Sequence, residues 1–245
     1  MAQTAINLYS VRSIDEPTEA VLDMVAAAGY DGVQFSGRHS PRNGDPDSIA
    51  ATLEEHGLEA TPAHIGMSAL QEDADELVEI HEAVGVEAAV IPGIDSDHFQ
   101  SAEAVDAVAT EVNELADALA DRGWDLHYHN HAHEYVDLGD EWALERFVDA
   151  TEVGIELDVG WALVGGDDPA ARIRSLGDRA ELIHMKDMDT SVDHGFVEIG
   201  DGDVDMPACA EAARAVGSEW LIYEHDDPEH PRATIDHGAR YLNDL

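Results

Sequence analysis

The chain predicts an α/β protein of the (β/α)8 barrel class. Three observations predict it. Eight short apolar runs alternate with eight amphipathic stretches, the order that builds a parallel sheet covered by helices. The first two helical stretches open at Pro and close at Gly, the ordinary punctuation of helix ends. Ionisable residues gather at the C-terminal ends of the apolar runs, the end at which such barrels place their chemistry. The length of 245 residues is usual for one such barrel, so a single domain over 1–245 is expected.

The elements follow in order. The first strand is expected over 5–10. A helix over 16–29 carries Pro17 in its first turn and ends at Gly29. A second strand over 32–36 and a helix over 45–57 repeat that pattern. The third strand, 59–64, is weakened by Pro62, which cannot donate to a ladder. A helix over 70–84, a strand over 87–93 and a long helix over 99–122 come next. The fifth strand is expected over 125–131, followed by a helix over 140–150. The sixth, 154–160, leads to a helix over 168–177. The seventh, 180–187, leads to a helix over 205–216. The eighth, 220–226, leads to a last helix closing near Tyr241. A doubly wound open sheet is the fallback, but no Gly-x-Gly-x-x-Gly follows the first strand.

Composition excludes several classes. Hydrophobic residues make up 44% of the chain, enough for a full core. No apolar run is long enough for a spanning helix, and the first residues lack a signal-peptide core. A cytoplasmic protein without a membrane partner is therefore expected. The single cysteine, Cys209, rules out an internal disulfide or a cysteine-based zinc site and reads as a packed, inert thiol. Against 54 acidic residues stand 12 basic ones, a net charge of −42. Such a surface repels nucleic acid. The abundant apolar periodicity excludes a disordered acidic chain. The remaining reading is a halophilic protein from a salt-saturated cytoplasm, where the Debye length falls to ~3 Å at 1 M salt. It is expected to loosen in low salt.

The organising stretch is Glu181-Leu-Ile-His-Met-Lys-Asp187. Side chains two apart on a strand share a face, so His184 and Lys186 point together. Lys186 is the only lysine in the chain. Other strand ends carry His64, the tract 127–134, Asp158, and Glu224 with His225. Each has an ordinary explanation alone: Asp158 as a turn former, His184 as a core histidine, Glu224 as the partner of an arginine. Together at one end of a barrel, buried ionisable groups need mutual compensation. One divalent ion (Mn²⁺, Co²⁺, Mg²⁺ or Zn²⁺) supplies it and suits carboxylate and imidazole donors. His127, His129, His131 and His133 alternate. Four ligands two apart on one straight strand cannot converge on one ion, so one or two of them are expected to face the pocket. The acidic stretch 200–206 lacks the distal Glu of an EF-hand and reads as a loop over the barrel mouth.

Tyr128-His-Asn-His-Ala-His-Glu134, Leu157-Asp-Val-Gly-Trp161, His184-Met-Lys-Asp187, Gly200-Asp-Gly-Asp-Val-Asp-Met206 and Tyr223-Glu-His225 resemble the sugar phosphate isomerase/epimerase family. This is part of the xylose-isomerase-like TIM-barrel superfamily, with ketose 3-epimerases, inosose dehydratases and isomerases, and endonuclease IV. Asn7-Leu-Tyr-Ser-Val-Arg12 resembles its first strand. The resemblance implies one divalent ion held by Glu, Asp, His and Glu from strands five to eight. Asp158, His184 and Glu224 match the last three. At the fifth strand many relatives read Glu-Asn-His where this chain has His129-Asn130-His131. Glu134, five residues on, is the expected ligand, with His129 as the alternative. Gln34 also stands where many relatives carry Glu.

The resemblance further implies removal of a proton next to a carbonyl. Glu134 and Glu224 would form the proton-transferring pair, and Lys186 would stabilise the enediolate. His64, His129, His131 and Trp161 would line the pocket, and Arg12 would meet a phosphate if the substrate carries one. The expected activity is metal-dependent isomerisation or epimerisation of a ketose through a cis-enediolate. An inosose-type dehydratase comes second, and gains if His129 replaces the carboxylate. A non-catalytic sugar-binding barrel, or a hydrolase or lyase of oxidised sugars, follows. The acidic surface argues against a repair nuclease. A sugar or cyclitol partner and a homo-oligomeric state complete the expectation.

Overall fold

A computed structural model of the chain describes residues 2–245. Its strands are β1 Gln3–Asn7, β2 Gly32–Gln34, β3 Glu59–Ala60, β4 Ala63–His64, β5 Ala88–Ile91, β6 Asp125–His129, β7 Gly154–Asp158, β8 Leu182–Met185, β9 Asp187–Met188, β10 Phe196–Val197 and β11 Trp220–Tyr223. Nine of them form one sheet in the order β3-β2-β1-β11-β8-β7-β6-β5-β4, every pair parallel. The two end strands, β3 and β4, are consecutive in the chain. They are the expected third strand, broken at Pro62. Thr61 N and His64 N donate to Val33 O and Phe35 O at 3.0 Å, while Ile65 N reaches Val90 O at 2.9 Å. One broken strand thus spans both neighbours and brings the sheet round into a nearly closed barrel.

The helices are α1 Thr18–Ala28, α2 Pro46–His56, α3 Met67–Glu82, α4 Ala102–Ala120, α5 Ala143–Ala150, α6 Val159–Val164, α7 Pro169–Leu176, α8 Met206–Val216 and α9 Pro231–Asp244. They follow the expected positions within a few residues, apart from the short α6 and several 3₁₀ turns. The first strand stops at Asn7 rather than Ser10. Asn7 Oδ1 accepts from Tyr9 N at 2.7 Å and turns the chain into a 3₁₀ helix, Leu8–Val11. The sixth strand stops at Asp158, whose carboxylate accepts from Trp161 N at 2.8 Å and caps α6, a helix the sequence pattern did not single out. The strands β9 and β10 form an antiparallel hairpin beside the barrel mouth.

Alternation along each strand divides its side chains between two cores. The outward faces pack against the helices in one large cluster. A small cluster of Ala5, Val90, Leu182, Trp220 and Ile222 forms separately. These residues share the inward face with the polar ones, so they are the floor of the barrel. The Trp220 ring needs Gly32 beside it, because a Cβ there would lie 2.6 Å from Glu59 O and 2.7 Å from the indole. Cys209 is buried in α8, and burial pushes its thiol up to about 12. No helix among the described residues is long and apolar enough to cross a membrane.

Candidate active site

Above the apolar floor the inward faces turn polar. His127 stays low, beside Gly154 and 3.8 Å from Glu181, while His129, two residues on, reaches the mouth. Glu156 and Asp158 alternate in the same way on β7. Asp158 lies level with His184 of β8 in the sheet register. Lys186, Glu224 and Asp226 follow just past the ends of β8 and β11. Asn130 ties two strand ends together by accepting from Asp158 N at 2.9 Å.

These side chains form one buried network. His184 sits at its centre, with Nδ1 3.0 Å from Glu224 and Nε2 3.0 Å from Glu156. His129 Nδ1 lies 3.0 Å from Glu156, and its Nε2 3.7 Å from Asp158 Oδ2. The Lys186 ammonium lies 3.0 Å from Asp158, 2.8 Å from Glu224 and 3.0 Å from Asp226. His184 and Lys186 therefore do share a face, and both meet Glu224.

Burial works against every charge here, and the partners decide which survive. Burial opposes a charged His184, but Glu156 and Glu224 outweigh it and hold the imidazolium up to about 10. Burial likewise opposes the Lys186 ammonium, and Asp158, Glu224 and Asp226 more than offset it. Against the same burial, His184 and His64 carry Glu156 well below the usual carboxylate range, and Lys186 and His184 do so for Glu224. Asp158 is the exception, because burial dominates and lifts its carboxyl to about 6. His129 is neutral, lowered by burial to about 4. His131 is lowered further, to about 2, by burial and then by His129, Lys186 and His133.

This balance leaves the site short of positive charge. Glu156, Asp158, Glu224 and Asp226 face two cations, His184 and Lys186. Asp158 Oδ2 is buried without a hydrogen bond of acceptable geometry. A divalent cation fits that deficit. His129, Asp158, His184 and Glu224 each bring a ligand atom within 4.8 Å of the others. Two other such groups occur among the described residues. In His64, His129, Glu156 and His184 the facing atoms are already hydrogen-bonded to one another. In His131, His133 and Glu134 the acceptor is taken by Tyr128, and His133 Nε2 by Ile94 O.

Glu134, expected as the fifth-strand ligand and catalytic partner, is not in the four-residue group. After His131 the chain enters a 3₁₀ turn, Ala132–Glu134, that swings the carboxylate back. It accepts from Tyr128 Oη at 2.5 Å and His131 N at 2.8 Å and is fully buried. His129, expected first as a pocket residue and only second as a ligand, takes its place. His64 lines the cavity and lies 2.5 Å from Glu156. The Trp161 ring lies 5.6 Å from His131 and 5.2 Å from Lys186 Nζ. Arg12 also lines the cavity, but its guanidinium stacks 3.9 Å above the Tyr9 ring. Sequence reasoning passed over Glu156 and Asp226. The signal was present, since Glu156 and Asp158 alternate as His184 and Lys186 do.

The network opens into a cavity of about 1430 Å³ at the C-terminal end of the strands, walled on one side by the hairpin tip 190–194. Tyr9, Val164 and Val192, the exposed large hydrophobic residues among those described, all line this cavity. Deep polar groups below an apolar rim are the usual form of a small-molecule site.

Fold and site together define a parallel barrel whose ionisable residues gather at the C-terminal strand ends. Residues 22–245 match the xylose isomerase-like TIM barrel family, and the chain belongs to it. The inosose dehydratase of Geobacillus kaustophilus is 26% identical, over 93% of this chain and 87% of that protein. A sugar phosphate isomerase/epimerase from Parabacteroides distasonis superposes with a TM-score of 0.80 at 21% identity, covering 99% of this chain and 94% of the other. The probable 3-DHS dehydratase AsbF of Bacillus anthracis superposes with a TM-score of 0.79 at 12% identity, covering 98% of each.

Proposed function

We propose that the chain is a lyase that removes water from a keto-cyclitol or related keto-sugar. The observation that carries this reading is the exchange at the fifth strand. His129 stands in the four-residue group and Glu134 is turned away, so the pair of carboxylates expected of an epimerase is not assembled. Similarity to an inosose dehydratase over most of both chains supports the same choice.

His129, Asp158, His184 and Glu224 would hold a divalent cation, which when bound supplies Lewis-acid polarisation of a substrate carbonyl. The rest of the chemistry belongs to side chains. His131 lines the cavity as a neutral imidazole, lowered by burial to about 2, and its Nδ1 is turned away beside Gly93. The Lys186 ammonium, 5.2 Å from the Trp161 ring, offsets negative charge developing on the substrate oxygen. Asp226, its hydrogen-bonded partner, is held above the usual carboxylate range by burial. It lines the cavity and is placed to take the proton from the carbon next to the carbonyl and return it to the departing hydroxyl. Trp161 and the apolar rim limit the access of water to the reacting carbon.

Isomerisation or epimerisation of a ketose is the second reading. It is favoured by Glu224 and Asp226, two carboxylates that line one cavity and share Lys186. One experiment separates the two. Metal-loaded protein in molar KCl is given an inosose and, separately, free ketoses in D₂O. Ultraviolet absorbance from an unsaturated ketone with the inosose alone is the expected result. Deuterium incorporation with a new epimer and no such absorbance would overturn it.

A further inference from the structure

Glu156 is fully buried, does not line the cavity, and belongs to no step above. Four side-chain nitrogens nevertheless converge on it. Gln34 Nε2 and His64 Nε2 lie at 2.5 Å, and His129 Nδ1 and His184 Nε2 at 3.0 Å. An ionised carboxylate only accepts, so each nitrogen that bonds to it must carry a proton. That assigns Nδ1–H to His129 and Nε2–H to His184. The opposite nitrogens, His129 Nε2 and His184 Nδ1, face Asp158 and Glu224, and these are the atoms that would bind the cation. Neighbours enforce the same assignment. Asn7 Nδ2 lies 3.2 Å from His64 Nδ1, leaving Nε2–H for Glu156. Gln34 Oε1 accepts from Asn7 Nδ2 at 2.6 Å and from His184 Nε2 at 2.7 Å.

We propose that Glu156 is the positioning residue of the candidate cation site, a single buried carboxylate that fixes the tautomer and ring orientation of both histidine ligands at once. The inference rests on the cation reading above. Histidine ligands commonly donate their second N–H to a carboxylate, and here one carboxylate serves two rings. A glutamine at this position cannot substitute. With its amide nitrogen towards Gln34 it opposes another donor, and a compensating flip of Gln34 would turn an NH₂ onto His184 Nε2. With the amide reversed, it opposes the three imidazoles.

The test is zinc binding in molar KCl by chelator competition, for wild type, Glu156→Gln and Glu156→Asp. The expected result is one equivalent in all three, with affinity about 10–100-fold weaker in Glu156→Gln and partly recovered in Glu156→Asp. Long-range ¹H–¹⁵N spectra of the zinc-loaded wild type should show His129 as the Nδ1–H form and His184 as the Nε2–H form. This decides the matter even if Glu156→Gln does not fold. Unchanged affinity in Glu156→Gln, or the reverse tautomers, would overturn the proposal. So would two equivalents in wild type with one lost in Glu156→Gln, which would make Glu156 itself a ligand. Absence of zinc, manganese or cobalt binding in wild type would instead remove the cation reading and this proposal with it.

Discussion

Two buried glutamates near the site hold other side chains in place. Glu134 holds Tyr128 and the backbone of its own turn, whereas Glu156 holds imidazoles. Glu134→Gln is therefore expected to keep its metal while losing about 1–3 kcal/mol of stability, the cost of a disturbed buried hydrogen bond. His129→Ala is expected to lose the metal. Metal content and denaturant titration of both variants check this, and the opposite pattern would return Glu134 to the site. His184 gives a pH prediction for the metal-free protein. Its folded value of about 10 lies above the ordinary 6.5. The stability this contributes is full below the ordinary value and is lost as pH rises through the folded one. Between those limits the melting temperature of metal-free wild type should fall, and that component should be missing from His184→Gln.

At the scale of elements, the loop after β10 depends on one side chain. Asp187 is buried and accepts from Met188 N and Gly202 N at 3.0 Å, Gly200 N at 2.8 Å and Val204 N at 3.1 Å. The acids of the same loop turn outward: Asp203 accepts from Thr190, and Asp205 caps α8. Gly202 is required by close approach, because a Cβ there would lie 2.3 Å from Asp187 Oδ1. Asp187→Ala strands four backbone donors, each worth about 1–3 kcal/mol if left unpaired. Limited proteolysis should then cut within 189–205 well before the rest of the chain opens. Equal protease resistance would show that the hairpin holds the loop without Asp187.

For the whole molecule, the excess of acid is the dominant electrostatic feature. A net charge of −42 makes self-repulsion the largest long-range force on the fold, and salt screens it. The melting temperature is expected to rise steeply with KCl from the millimolar to the molar range. A flat profile would remove the halophilic reading. The apolar rim at the barrel mouth stands apart from that surface, since the exposed large hydrophobic residues among those described gather there.

Periodicity is local, and what is local was legible. Two-residue alternation and helix punctuation located the barrel strands and most helices but not the hairpin β9–β10, and Pro62 marked the weak third strand whose break brings the ends of the sheet together. The stretch 184–187 and the ends at Asp158 and Glu224 located the mouth of the barrel. The lone lysine pointed to its charged centre. What sequence could not resolve was convergence. Whether His129 or Glu134 meets Asp158 depends on a short turn after β6, set by Tyr128 and the His131 amide rather than by spacing. Glu156 reads in the chain as one more acid among 54. Only barrel closure brings Asn7, Gln34, His64, His129 and His184 around it from separate strands. The sequence by itself determined the barrel and the end that carries its chemistry, because both follow from side-chain period along single segments. The tertiary structure decided which donors share a site, because that depends on how distant strands register and on the water excluded between them.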